Sequence, residues 1–358
     1  MGTFFSALES AKAVWQKPSP LVRIALISRP SSPSRFPDLS GGELMTKLMC
    51  GAIAFALPLI APSLGAQDGG QRGQEGARNP MAGWNEKAPW GPRQRLGSSA
   101  EYLRDPFRIF DNVYYVGLHS VSSYLVTTSA GLVLIDATYP ETPDAVLSSV
   151  RKAGLDPLNI KYVLVTHSHI DHFGGAGRIQ QVTGARIGMS AEDWDNTAAQ
   201  QGRGGQRGQN VGIPLTRDLV LRDNGTLTVG DTTFKFYVTP GHTPGATSVE
   251  FQAKDGGKSY RVLAPGGMGL SFGPEWTPVF IKSMERLKQL GPWDVILGNH
   301  PFLMPRDLEQ DVEKDLATRG NGPHPAVVGA AKINEWFDQV LKVVNEKLVS
   351  EQAAKTGR

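Results

Sequence analysis

From residue 107 onward, apolar and polar positions alternate in short runs bounded by glycine, proline and aspartate. Over 113–118, 124–128 and 132–135 the β-branched and aromatic content predicts three strands joined by turns. A helical spacing takes over across 142–153 through Ala145, Val146 and Val150, and stops near Gly154. Another apolar, β-branched run over 161–165 has the pattern of a buried strand. A helix over 176–182 and a strand over 185–189 follow. After 220 the two-residue period returns at 227–229, 233–238, 247–251 and 261–264, before a helix over 284–290 and a short apolar strand ending near Leu297. The last helix, over 327–348, sets Ile333, Trp336, Phe337, Val340, Leu341 and Val344 on one stripe that reads as core packing. Two pseudo-equivalent halves, each mixing strands with helices, predict an α/β protein: two sheets face to face, helices outside, one domain.

Residues before 107 follow other patterns. The stretch 1–44 is rich in proline and serine without a sustained period, and is expected to be disordered or an upstream extension. Residues 45–66 have the form of a signal peptide, with Lys47 as its positive region, an apolar run over 48–64 and Leu64-Gly65-Ala66 as a cleavage site before Gln67. Pro58 and Pro62 interrupt that run and it is short for a bilayer. No stable membrane span is expected after its removal, and the expected location is periplasmic or secreted. The single cysteine, Cys50, falls in this segment, so no disulfide framework is expected in the mature chain. Residues 67–106 read as a flexible arm in which Trp84 and Trp90 anchor the chain to the domain. The Gly/Gln/Arg-rich run at 202–209, between Asp193 and Gly212, is low-complexity and is expected to be a solvated loop, with a lid as the alternative.

The chain's 358 residues, 40% of them hydrophobic, suffice for a full core. A formal charge of +3, with no arginine cluster interleaved with aromatics, argues against a nucleic-acid partner and leaves a small-molecule substrate.

The chemistry concentrates where the 161–165 run ends. His167-Ser-His169-Ile-Asp171-His172 follows at once, then Gly174-Gly175, so three imidazoles and a carboxylate fall within six positions. In extended chain, side chains two apart share a face. His167, His169 and Asp171 are therefore expected on one side with His172 elsewhere, so that one loop serves two neighbouring metals. Imidazole and carboxylate without thiolate suit zinc ahead of iron, manganese or nickel. Packed imidazoles without a cation would lack acceptors and repel when protonated. His242, in Thr239-Pro-Gly-His-Thr-Pro-Gly245, and His300, just past the apolar strand, sit at further strand ends, which predicts one convergent edge. His119 and His324 have no ligand neighbours at motif spacing and are expected to be structural. Ser168 lies inside the cluster without a base free of metal, so it is not read as a nucleophile.

These motifs resemble the metallo-β-lactamase superfamily, whose H-x-H-x-D-H signature reads here as His167, His169, Asp171 and His172. The resemblance runs from about Phe107 to the C-terminal helix. It is closest to the third subclass of class B β-lactamases and their relatives, through the Gly-His-Thr-Pro-Gly loop at 241–245 and the late His300-Pro301. It implies a four-layer αβ/βα sandwich over 107–350 and two zinc ions per chain. The first would be held by His167, His169 and His242, the second by Asp171, His172 and His300. The implied reaction is hydrolysis of a β-lactam amide by water activated on the metals, with Asp171 orienting the water and relaying a proton. The chain also departs from its relatives. Hydrolases such as glyoxalase II place a bridging aspartate after the strand read here at 260–264, and the first two lactamase subclasses use a cysteine near that place. Here Pro265-Gly266-Gly267-Met268 follows, and glycines replace the Asp-Ser pair of the third subclass. The same site acting on another ester, lactone or thioester is the second expectation. A non-hydrolytic metal-binding or redox relative is the third; it would bring additional carboxylate ligands and usually a flavin module.

Overall fold

The computed structural model describes residues 82–93, 95–204 and 210–356. The expected upstream extension, the signal segment, the start of the arm and positions 205–209 of the low-complexity run lie outside the described residues.

The alternation read in the sequence builds two sheets. In the first, β1 (Phe107–Phe110), β2 (Val113–Tyr115), β3 (Tyr124–Thr128), β4 (Gly131–Ile135), β5 (Ile160–Leu164), β6 (Arg186–Met189) and β7 (Leu219–Val220) lie in chain order. Its pairings are antiparallel as far as β4 and parallel beyond. The second sheet has the order β12 (Val295–Ile296), β11 (Lys258–Ala264), β10 (Thr247–Asp255), β9 (Thr232–Val238), β8 (Thr226–Val229). Only its β11–β12 pair is parallel.

Side-chain period decides which layer each strand residue joins. Tyr124, Val126, Val133 and Ile135 enter one core with Phe234, Phe236, Val249 and Phe251 of the second sheet. Their neighbours Leu125, Leu132 and Leu134 enter another, with Val146 and Val150 of α2 (Pro143–Lys152) and Ile179 of α4 (Ala176–Thr183). Register matters because Leu125 pairs with Leu134 and Tyr124 with Ile135; a slip of one residue would exchange the two cores. Helices α6 (Thr277–Gln289) and α8 (Ala330–Thr356) pack together and add Phe280, Leu287, Ile333 and Phe337 to the second sheet's core. The result is the four-layer αβ/βα sandwich, within one compact unit, Gln71–Arg358.

Several elements differ from expectation. A helix the sequence reading left unassigned, α5 (Ala191–Gly202), precedes the low-complexity run: the Ser190 hydroxyl accepts from the Asp193 N–H to cap it, and Trp194 and Thr197 are buried. The helix read over 284–290 is the C-terminal half of α6, which starts at Thr277 followed by a proline. Ahead of the sandwich stands α1 (Ala82–Lys87), and Trp90 is fully buried with its ring 6.3 Å from that of Trp336 in α8. A π-helical turn, Leu308–Glu313, follows the last histidine loop and runs into α7 (Lys314–Thr318). Among the described residues no helix is long and apolar enough to cross a membrane.

Loops leaving β2, β4, β5, β9 and β12 meet at one sheet edge. Backbone bonds tie them together: Thr247 N–H donates to the Thr166 carbonyl at 2.7 Å and Ser122 N–H to that of Asn299 at 3.0 Å.

Candidate metal centre

Strand β5 delivers His167 to the edge fully buried. His169 is still extended, at φ −85° and ψ 149°, and caps the one-turn helix α3 (Ile170–Phe173), which carries Asp171 and His172. This turn corrects the expectation that His167, His169 and Asp171 share one face. Helical backbone swings Asp171 away from the first two histidines and toward His172 and His300. Two groups result, His167 with His169 and His242, and Asp171 with His172 and His300. In each group one donor atom per residue lies within 4.8 Å of the others. His172 is buried, His169 is exposed, and the Asp171 side chain is 17% exposed, so the centre opens on one side.

The orientation of each ring follows from its other nitrogen. His242 Nδ1 donates to the Gly269 carbonyl at 2.7 Å, His300 Nδ1 to the Ser120 carbonyl at 2.6 Å, and His172 Nδ1 to Asp136 Oδ2 at 2.8 Å. A carbonyl or carboxylate oxygen only accepts, so these rings carry their proton on Nδ1 and aim Nε2 into the centre. His172 Nε2 and His300 Nε2 come within 3.4 and 3.6 Å of Asp171 Oδ2. His167 Nε2 and His172 Nε2 are buried without a hydrogen-bond partner. Buried unpartnered nitrogens are costly, and a cation accepting their lone pairs removes the cost. The donor set, five imidazoles and one carboxylate, fits zinc.

Charge in the site agrees. Burial, reinforced by the neighbouring rings, pushes His167 and His242 well below the ordinary imidazole range, and burial takes His300 to about 4. These rings are neutral, the ligating form. Burial would also lower His172, but Asp171 and Asp136 outweigh it and push this ring up to about 10. For Asp171 burial raises the carboxyl, and His172 and His300 overcome it to hold the group well below the usual carboxylate range. The row Asp136, His172, Asp171 thus favours positive charge at its centre.

Two aspartates that the sequence reading left unassigned organise the site. Asp136, at the end of β4 with φ +64°, also accepts from Thr166 N–H at 2.7 Å and from its hydroxyl at 2.8 Å. Asp193 accepts four hydrogen bonds, from Ser168 N–H and hydroxyl, Thr243 hydroxyl and Gly245 N–H, at 2.8 to 3.0 Å. It joins the loop of His167 to the loop of His242. The available signals were a carboxylate at a strand end beside the metal strand, and Ser190-Ala-Glu-Asp193 as a helix start.

The glycines after β11 have a local reason. A Cβ on Gly267 would sit 2.4 Å from His242 Cδ2, and one on Gly269 would sit 3.1 Å from His242 Cε1. The space of the absent Asp-Ser pair is where the His242 ring packs. His324 is structural, stacked on Phe110 at 3.9 Å and donating to the Ile109 carbonyl. His119 pairs with Glu309 at 2.7 Å. Ser168 is buried and its hydroxyl donates to Asp193.

Residues 116–256 match the family model of the metallo-β-lactamase superfamily. Among solved structures, BJP-1, a subclass B3 metallo-β-lactamase of Bradyrhizobium japonicum, is 25% identical; the alignment covers 71% of this chain and 98% of that one at a TM-score of 0.61. The probable metallo-hydrolase YqgX of Bacillus subtilis (strain 168) is 28% identical over 155 residues, 42% of this chain and 72% of that protein. A hydroxyacylglutathione hydrolase of Anaeromyxobacter dehalogenans (strain 2CP-C) is 26% identical over 37% of this chain, which spans 42% of that enzyme. With the sandwich and the signature loop in place, the chain has the metallo-β-lactamase fold and is similar to that superfamily over residues 116–256. Its structural neighbours include the B3 lactamases, while its sequence relatives include a probable metallo-hydrolase and a hydroxyacylglutathione hydrolase.

Proposed function

We propose that this protein is a dinuclear zinc hydrolase of the subclass B3 kind that opens the amide of β-lactams. His167, His169 and His242 would hold one zinc, and Asp171, His172 and His300 the other. The observation that carries the reading is the pair of complete three-residue groups at one edge, with buried imidazole nitrogens lacking partners. Likeness to BJP-1 over nearly that enzyme's full length supports the substrate class.

Held by these two groups of residues, zinc would supply Lewis acidity toward a carbonyl and lower the pKa of water to about 7. The chain's residues do the rest. Asp136 fixes the His172 tautomer, as Gly269 and Ser120 do for His242 and His300. Asp171 turns Oδ2 toward His172 and His300, which leaves Oδ1 to orient the attacking water, take its proton and pass it to the departing nitrogen. Its lowered pKa keeps it in the ionised form that this role needs. No protein nucleophile is required.

A thioester, ester or lactone is the second reading, and the hydroxyacylglutathione hydrolase relatives favour it. The turn after β11, where the His242 ring fills the place at which a side chain on Gly267 would begin, departs from both patterns and does not separate the two readings. The test is hydrolysis of a chromogenic cephalosporin and a carbapenem by zinc-loaded protein. Turnover that disappears with chelation and returns with zinc is expected. Two bound zincs without turnover of either compound would discard the β-lactam reading, and a thioester and lactone panel would then test the second.

A further inference from the structure

The segment preceding the sandwich reaches the supports of both residue groups. Asn85, in α1, meets the loop behind His242: its Oδ1 accepts from Leu270 N–H at 2.8 Å and its Nδ2 donates to the Ser271 hydroxyl at 2.7 Å. Leu270 N–H belongs to the same peptide group as the Gly269 carbonyl, which takes the His242 Nδ1 proton at 2.7 Å. In a planar trans peptide the N–H and C=O point in opposite directions. Gripping one therefore aims the other, and Asn85 sets the carbonyl that sets the ring.

Ten residues on, the same segment meets the support of His300. Arg95 Nε donates to the His119 carbonyl at 3.1 Å, His119 N–H donates to the Tyr102 carbonyl at 2.8 Å, and the Ser120 hydroxyl donates to the Gly97 carbonyl at 2.6 Å. Ser120 is the residue whose own carbonyl receives His300 Nδ1. Arg95 is held in turn by Asp307 at 3.2 Å, beside the π-helical turn.

We infer that residues 85–93 and 95–102 are a built part of the metal centre, in which Asn85 acts as a positioning residue for His242 and Arg95 for His300. The inference rests on the reading of the two groups as metal sites. It makes this segment a determinant of metal affinity, with each end serving a different group. Partners that orient a ligand from outside its coordination sphere typically change metal affinity by about tenfold or more when lost.

The experiment is cobalt(II) titration of the full chain against a competing chelator, followed by visible absorption. His242→Ala and His300→Ala serve as references for which binding event belongs to which group. Asn85→Ala is expected to weaken the event lost in His242→Ala by about tenfold, to shift its absorption band, and to leave the other event unchanged. Arg95→Ala is expected to do the reverse. Asn85→Asp keeps the acceptor for Leu270 N–H and is expected to restore the constant, which a merely structural role would not require. Thermal melts of the metal-free variants within a few degrees of the parent are expected alongside. Unchanged constants and spectra in both alanine variants would overturn the inference, as would equal weakening of both events by each variant, or an Asn85→Asp as impaired as Asn85→Ala. A parent chain that takes up no cobalt would instead overturn the metal reading itself, and this inference with it.

Discussion

Asp193 connects two loops that the chain separates by more than seventy residues, and it does so with one carboxylate. Each oxygen accepts one backbone N–H and one hydroxyl: Oδ1 from Gly245 and the Ser168 hydroxyl, Oδ2 from Ser168 N–H and the Thr243 hydroxyl. Burial raises its pKa against the pull of these donors, the direction expected for a charge taken out of water. The arrangement admits no isosteric amide. In Asp193→Asn one oxygen becomes an NH2 facing a backbone N–H, and while a hydroxyl can rotate to accept, an N–H cannot. The variant is therefore expected to lose on the order of 3 kcal/mol of stability, since each buried hydrogen bond to a charged group contributes about 1.5–3 kcal/mol and a mispaired donor costs more than an absent one. Urea denaturation of parent and variant measures it. A loss under about 1 kcal/mol would mean that the two loops hold their places without this clamp.

At the scale of elements, α5 shows what sequence patterning misses. Its C-terminal end runs into glycines, glutamines and arginines, so the stretch between 193 and 212 reads as loop although its first ten residues are helical. Tertiary packing decides the matter: Trp194 is 3% exposed and its Nε1 donates to the Leu219 carbonyl at 3.0 Å, pinning the helix to β7. Trp194→Ala is expected to cost about 3–5 kcal/mol, as for other buried aromatics. It should also weaken metal binding, because Asp193 rides on the same turn. Equilibrium unfolding and a zinc titration on the same sample check both; intact stability would show that the helix is held otherwise. The central strands were legible because both of their faces are buried, which forces an apolar run, and the six candidate ligands were legible because they crowd at strand ends. Asp136 and Asp193 were not, since each is one of 34 acidic residues and acts through contacts with residues far away in the chain. The helical turn at Asp171 was hidden for a related reason: extended and helical spacing both bring its neighbours within reach, and only the position of His300 separates the two.

At the scale of the whole molecule, the candidate ligands come from both sheets. His167, His169, Asp171 and His172 follow β5 of the first, while His242 follows β9 and His300 follows β12 of the second. A metal held by either group would therefore tie one sheet to the other across the sandwich's open edge. Without it, His167 Nε2 and His172 Nε2 remain buried without hydrogen-bond partners, and neighbouring rings lie as close as 4.0 Å between centroids. Binding to the folded state alone adds stability with the logarithm of ligand over dissociation constant, about 4 kcal/mol at a thousandfold excess per site. In a domain of this size each kcal/mol moves the melting temperature by about 2–4 °C. Removing metal with a chelator is thus expected to lower the melting temperature by about 8 °C or more, with zinc restoring it and magnesium, which prefers oxygen ligands, having no effect. Calorimetry of the same preparation before and after dialysis against chelator makes the measurement. Zinc bound in near-stoichiometric amount with no change in melting temperature would place the ion away from this edge, and the two-sheet staple would have to be abandoned even if hydrolysis were observed.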